Sequence, residues 1–322
     1  MPTVRPTPSM VVEQPVDGST APARIRENGG FSDASGYSTN LFGQGTMRFA
    51  KMEGCANDFV LTRDVPADAV DSLCRAAPAL CDRRRGIGAD GIIAVVPSST
   101  ADFGMRIVNA DGSEAEMCGN GIRCFALYVR RTGLSDASHL SVETGAGLIQ
   151  TEIVHEERVK VNMGAPILDA QRIPTTGDGP RVVDEQLTVD GRVFGVTAVS
   201  MGNPHAVVYA DSLSDELVLG YGPKLESHRF FPNKANVEFV AVRNAGEVDM
   251  RVFERGVGET LACGTGACAA AVSGVLGGRH GNEVTVHLRG GDLEIQWAGE
   301  PSQPVLMTGP ARWVYEGSID LP

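Results

Sequence analysis

The chain has 322 residues, 42% of them apolar and 21% charged, with a formal net charge of −12, enough to bury a sizeable core and to form two ordinary domains. The acidic balance excludes a partner held through its phosphate backbone, since that affinity comes from clustered Lys and Arg. No apolar run approaches the roughly 20 residues of a membrane helix, so neither a nucleic acid nor a membrane is expected as partner.

Residues 1–46 are rich in Pro, Ser, Thr, Gly and Asn, lack apolar periodicity and read as a disordered extension. As a transit peptide it would point to a plastid, but Glu13, Asp17, Glu27 and Asp33 outnumber its three arginines, and transit peptides are poor in acids. Seven cysteines, at 55, 74, 81, 118, 124, 263 and 268, are an odd number with no secretory leader ahead of them, which fits a reduced, cytoplasmic setting. None is spaced C-x2-C, so a structural zinc site is not expected. Cysteines 55, 74, 81, 124 and 268 read as small buried hydrophobes, and Cys55 as a spacer before Asn57.

From Met47 a strand-like alternation begins. Arg83-Arg84-Arg85 before Gly86 reads as a solvated turn. Further on, Met105-Arg106, Glu114 and Cys118-Gly119-Asn120-Gly121 recur as Met250-Arg251, Glu259 and Cys263-Gly264-Thr265-Gly266 at one offset of 145 positions. The same offset pairs Gly145 with Gly290, Leu148 with Leu293 and Gly164 with Gly309. This register is an internal duplication. Each copy reads as strands, a Gly-rich turn carrying the cysteine, a helix (121–132 and 266–277) that is apolar around most of its circumference, then hairpins turning at 145–147 and 290–291. The expected fold is α+β: two pseudo-symmetric domains, each a barrel-like mixed β-sheet wrapped around a central α-helix. One domain takes residues 47–165 with a returning strand in 305–322, the other residues 166–304.

In Cys-Gly-x-Gly before a helix, the glycines permit a tight turn and close approach of a ligand, and the first helical N–H groups lack intrahelical partners. Such an end binds a carboxylate and favours a cysteine as its thiolate. Either cysteine alone would read as a small N-cap residue. Two at matching repeat positions can face one another, which is what inversion at carbon requires: one group takes a proton from one face and another delivers a proton to the opposite face. Helix N-termini aimed at the α-carboxylate stabilise the carbanion as it forms.

Met117-Cys118-Gly119-Asn120-Gly121-Ile122-Arg123, Glu254-Arg255-Gly256-Val257-Gly258-Glu259-Thr260, Ala262-Cys263-Gly264-Thr265-Gly266, Gly54-Cys55-Ala56-Asn57 and Gly202-Asn203-Pro204-His205 together resemble diaminopimelate epimerase, over about residues 47–320. The resemblance implies interconversion of LL- and meso-2,6-diaminopimelate, on the route to lysine and peptidoglycan precursors, with no cofactor, no metal and a homodimeric state. Cys118 and Cys263 would be base and acid. The amides of Gly119-Asn120 and Gly264-Thr265 would hold the carboxylate at the reacting centre, and Asn57, Asn109, Asn203, Asn236, Glu254 and Arg255 would bind the substrate's amino and carboxylate groups. His205 and Glu254 would tune the thiols. Gly91 stands where some members have a substrate-contacting Gln.

Proline and hydroxyproline racemases share this fold and logic, but their motifs typically read Cys-Gly-His and Asp-Arg-Ser-Pro-Cys-Gly, against Cys118-Gly119-Asn120 and Ala262-Cys263 here. A phenazine-pathway isomerase would normally lack the cysteine pair. A non-catalytic amino-acid-binding protein on the same scaffold stays open at this level.

Overall fold

The structure, a computed structural model, describes residues 46–63, 65 and 69–320. The disorder and transit-peptide expectations for the extension lie outside the described residues, except that Thr46 already belongs to the first strand.

The chain runs β1 (Thr46–Gly54), β2 (Asn57–Thr62), α1 (Val70–Leu80), β3 (Gly91–Val96), β4 (Phe103–Asn109), β5 (Glu114–Ala115), α2 (Gly119–Arg131), β6 (His139–Thr144), β7 (Gly147–His155) and β8 (Arg158–Asn162). It continues through β9 (Glu185–Val189), β10 (Arg192–Ser200), β11 (Pro204–Tyr209), α3 (Asp215–Glu226), β12 (Asn236–Asn244), β13 (Glu247–Glu254), β14 (Gly258–Thr260), α4 (Gly264–Leu276), β15 (Glu283–Leu288), β16 (Gly291–Gln296), β17 (Leu306–Pro310) and β18 (Arg312–Asp320). The offset of 145 carries α2 onto α4 without remainder and sets α1 against α3, so the duplication extends upstream of the motifs that reveal it. The two inner helices begin two residues and end one residue earlier than the sequence predicts, because both Cys-Gly-x-Gly glycines are already helical.

Pairing repeats with the sequence. β1–β2, β3–β4 and β6–β7 are antiparallel, and β2–β3 and β4–β6 are parallel. Their counterparts β10–β11, β12–β13, β15–β16, β11–β12 and β13–β15 keep the same senses. β17 lies antiparallel to both β16 and β8, tying the halves into one sheet network, and β18 returns to pair with β1.

Each half has an outer helix, a sheet and an inner helix. β3 shows why its sequence is an unbroken apolar run: Ile93 and Val95 face the inner helix α2, while Ile92, Ala94 and Val96 face the outer helix α1. Strand side chains alternate between faces, and a strand covered on both sides needs apolar residues throughout. In α2, every residue from Gly119 to Val129 is buried, and α4 is similarly enclosed, within one continuous core that includes both helices. Cys55, Cys81, Cys124 and Cys268 are buried as expected, whereas Cys74 is half-buried. Among the described residues no helix is long and apolar enough to cross a membrane.

Candidate active site

The two cysteine turns superimpose in conformation. Cys118 is the N-cap of α2 at φ −140° and ψ 118°, and Cys263 the N-cap of α4 at φ −132° and ψ 112°. Each sulfur accepts a hydrogen bond from the N–H three residues on, Gly121 and Gly266 respectively, at 3.4 Å in both cases. The sulfur thus does what a Ser or Asp side chain does at an ordinary N-cap, and it lies in the positive field of the helix end. The turns also meet. A Cβ built on Gly119 would stand 3.6 Å from the Cα of Gly264, and one on Gly264 3.5 Å from the Cα of Gly119. Two helix N-termini converge with their backbones close together, and the glycines leave that space open.

The approach to each turn is pinned by a repeated ion pair. Arg106 of β4 holds Glu114 of β5, and at the equivalent place Arg251 of β13 holds Glu259 of β14, the latter at 2.7 Å. These are the Met-Arg and Glu positions of the duplication.

Around Cys118, Asn57 faces the sulfur at 3.5 Å through its Oδ1, which also accepts from Asn120 at 3.4 Å. Asn57 is oriented from behind: its Nδ2 donates to Asp90 at 2.7 Å. Asp90 and Asp58 share Arg83, and Asp58 also pairs with the buried Lys51 at 2.7 Å. Arg83 is therefore an ion-pair partner, not the freely solvated turn residue its sequence suggests; Asp82 accepts from the backbone N–H of Arg84 and Arg85 to form the turn itself. Cys55 is more than a spacer. It takes the left-handed conformation (φ 54°) at the β1–β2 turn, and its sulfur lies 3.5 Å from the Arg123 guanidinium.

Around Cys263, Thr265 lies 3.5 Å from the sulfur. His205 is fully buried; its Nδ1 is 2.7 Å from Glu238 Oε1 and its Nε2 3.0 Å from Asn203 Oδ1. Asn236 donates to the Pro204 carbonyl and accepts from the Arg255 N–H at 2.9 Å. The Glu254 carboxylate accepts from the Thr260 hydroxyl. Asn109, the counterpart of Glu254 in the other half, donates to Ser113 at 3.0 Å. Arg255 is exposed, its guanidinium only 3.3 Å from the Asn233 carbonyl. Gly91 pairs with Asn109 across β3–β4, and a Cβ there would come within 2.7 Å of the Val108 carbonyl oxygen. A Gln at 91 therefore does not fit this backbone.

The expectation that the helix ends hold the cysteines as thiolates is met for neither, since both thiols are raised above their ordinary value. Burial raises the Cys118 thiol, opposed by the Gly121 and Asn120 N–H groups and by Arg123. Burial raises Cys263 much further, and Glu254 and Glu238 add to it. Desolvation of a charged sulfur outweighs the dipole. His205 and Glu254 do not act alike: Glu254 raises both thiols, its own carboxyl is raised by burial, and His205 contacts Glu238, not a sulfur.

Two groups that the sequence leaves without a role stand out here: Arg123 and Glu238. Each is a charge set in an apolar run, Arg123 between Ile122 and Cys124 of α2 and Glu238 between Val237 and Phe239 of β12. That is the signal that could have found them.

The diaminopimelate epimerase family model matches residues 49–168 and 197–314. The chain belongs to the diaminopimelate epimerase family. It is 50% identical over 279 residues to a diaminopimelate epimerase of Moorella thermoacetica, covering 85% of this chain and 100% of that one. It is 52% identical over 274 residues to one of Desulforudis audaxviator, covering 84% and 98%. The fold is shared more widely. A hydroxyproline epimerase from Agrobacterium vitis, solved with bound trans-4-hydroxy-L-proline, superimposes with a TM-score of 0.62 at 15% identity over 85% of this chain and 91% of that one. A PhzF-family phenazine biosynthesis protein of Bacillus anthracis does so with 0.59 at 18% identity, over 85% and 99%. At these identities the likeness is one of fold. Sequence separates this diaminopimelate epimerase family member from both.

Proposed function

We propose that the protein interconverts LL- and meso-2,6-diaminopimelate by two-base proton transfer between Cys118 and Cys263, with residues 47–165 and 305–322 as one lobe of the site and 166–304 as the other. The observation that carries this reading is the matched pair of N-cap cysteines on helices whose N-terminal glycines nearly touch. An α-carboxylate seated at the two helix ends puts its Cα between the sulfurs. The thiolate on one side takes the α-proton and becomes a thiol. The electron pair left behind is delocalised into the carboxylate, where the N–H groups of Gly119, Asn120, Gly264 and Thr265 stabilise it. The opposite thiol then delivers its proton to the other face and becomes the thiolate, so the configuration is inverted and the two sulfurs have exchanged roles.

Asn57, Asn109, Asn203 and Asn236 supply amides that can donate or accept, suited to ammonium and carboxylate alike. Arg255, exposed at the β13–β14 turn, is free to grip the distal carboxylate bidentately. Glu254 is the acid suited to an ammonium. The reading includes a homodimer in a reduced cytoplasm.

The test is incubation of the reduced protein with LL-diaminopimelate in deuterated water, with proline as a parallel substrate. Deuterium at the α-carbon of meso product, with none in proline, supports the proposal. Turnover of proline with silence on diaminopimelate overturns it.

A further inference from the structure

Superposing the two cysteine turns by the repeat shows what the duplication did not preserve. The counterpart of Arg123 is Cys268, and the counterparts of Glu238, Glu254 and His205 are Ile93, Asn109 and Val60. All the formal charge next to the thiols is unmatched between the halves.

Arg123 is fully buried. Its guanidinium donates to the Gly119 carbonyl at 2.8 Å, Asn120 Oδ1 at 2.9 Å, the Pro310 carbonyl at 3.0 Å and the Cys55 sulfur at 3.5 Å. These acceptors and the Met307 sulfur, 3.9 Å away, are all neutral groups, and among the described residues no carboxylate oxygen lies within 4.0 Å of the guanidinium. The hydrogen-bonding capacity is satisfied, yet the charge has no counterion. Guanidinium does not deprotonate in proteins, so the interior beneath the Cys118 turn is permanently positive.

The opposite holds around Cys263. Glu238 is fully buried, with one oxygen on His205 and Oε2 without a hydrogen-bond partner. It sits directly under the α4 turn, its Oε1 being 2.7 Å from where a Cβ on Gly266 would be. Glu254 on β13 adds a second carboxyl. Among the described residues the basic side chain that contacts this set is His205 on β11, a single group against two carboxyls. Facing Cys118, the other contributors are Asn57, which is neutral and separates it from Asp90 but accepts from the thiol at 3.5 Å, so that Arg123 acts against it, and Glu254.

We infer that Arg123 and Glu238 are positioning residues that set the two thiols apart, so that in the ligand-free protein Cys118 gives up its proton more readily than Cys263. The resting protein would then be poised for a substrate offering its α-hydrogen to Cys118. The mirror-image substrate would need the harder ionisation, that of Cys263. This rests on both cysteines being acid–base groups, as proposed above, but not on which amino acid they act upon.

The experiment is substoichiometric alkylation of the reduced, ligand-free protein with iodoacetamide between pH 6 and 10, with each cysteine peptide quantified by mass spectrometry. Expressing each rate as a fraction of that cysteine's own alkaline plateau cancels the better access of Cys118. Cys118 is expected to reach half its plateau at lower pH than Cys263. Arg123→Met should lower the Cys118 fraction at pH 7.5 about tenfold, and Arg123→Lys should restore most of it. Glu238→Gln, which keeps the size and one hydrogen bond, should raise the Cys263 fraction without lowering that of Cys118. A lower midpoint for Cys263 would overturn the inference, as would a folded Arg123→Met protein with an unchanged Cys118 profile. If Arg123→Met does not fold, Glu238→Gln decides alone: an unmoved Cys263 profile sinks the idea. Because no substrate enters the labelling, a failed diaminopimelate assay leaves this result readable.

Discussion

Either sulfur can be removed with little disturbance to packing, since alanine at Cys118 or Cys263 keeps the N-cap backbone and loses weak sulfur contacts of 3.4 and 3.5 Å. Each variant is expected to fold, to bind diaminopimelate and to lose about 10³-fold in epimerisation, the scale of a positioned acid or base; chiral product analysis beside a thermal melt checks both halves of that statement. Glu254 gives a prediction about pH. Burial holds its carboxyl above the ordinary range, so the folded protein binds that proton more tightly than the unfolded chain, and stability is lost as pH rises through the shifted value. Glu254→Gln should therefore melt higher than the parent at pH 8, with the difference vanishing near pH 4, even though its activity falls. A Glu254→Gln protein that melts lower at pH 8 would show that the Thr260 hydrogen bond outweighs the buried charge.

Among the elements, β2 and the α1–β3 connection form the platform behind Asn57. Although burial pushes it up, Asp58 is held well below the ordinary carboxylate range by Arg83 and Lys51. Its contribution is present above the unfolded carboxylate pKa and fades as pH falls through the lower folded value. Asp58→Asn leaves Lys51 buried without its counterion, expected to cost about 3 kcal/mol near pH 7, with the deficit narrowing below about pH 4; denaturant unfolding at the two pH values measures it. This platform also marks the limit of what the sequence discloses. The inner helices are legible because a Cys-Gly-x-Gly turn is a local signal, and its recurrence at 145 turns two weak motifs into one strong one. The outer helices are not drawn from sequence: Val70, Leu73, Ala77 and Leu80 keep helical spacing in α1, but Pro78 lies inside the helix and no side chain caps its start. The candidate site divides likewise. Residues in the motifs are found, whereas Asp90, Arg123 and Glu238 act through partners dozens of positions away, and an isolated charge in a sequence reads as surface until the fold buries it.

At the scale of the molecule, the strand common to both halves sets the spacing of the two turns. Met307 of β17 is fully buried beneath them, its Cε 3.2 Å from a Cβ built on Gly119 and its Sδ 3.2 Å from one on Gly264. Met307→Ala is expected to cost about 2–5 kcal/mol and to lower kcat beyond what that loss of stability explains, because the turns lose their common support. Met307→Leu should cost under about 1.5 kcal/mol; equal kcat in the two variants would show that the support does not matter. The position of β17 in the chain has a consequence for biosynthesis. Both cysteines leave the ribosome before residues 306–310, the strand that joins β16 to β8 and spaces the turns. A nascent chain thus carries both sulfurs on helices that β17 does not yet hold in register, and the spacing of the two turns is set only once that strand has been made, long after the cysteines themselves.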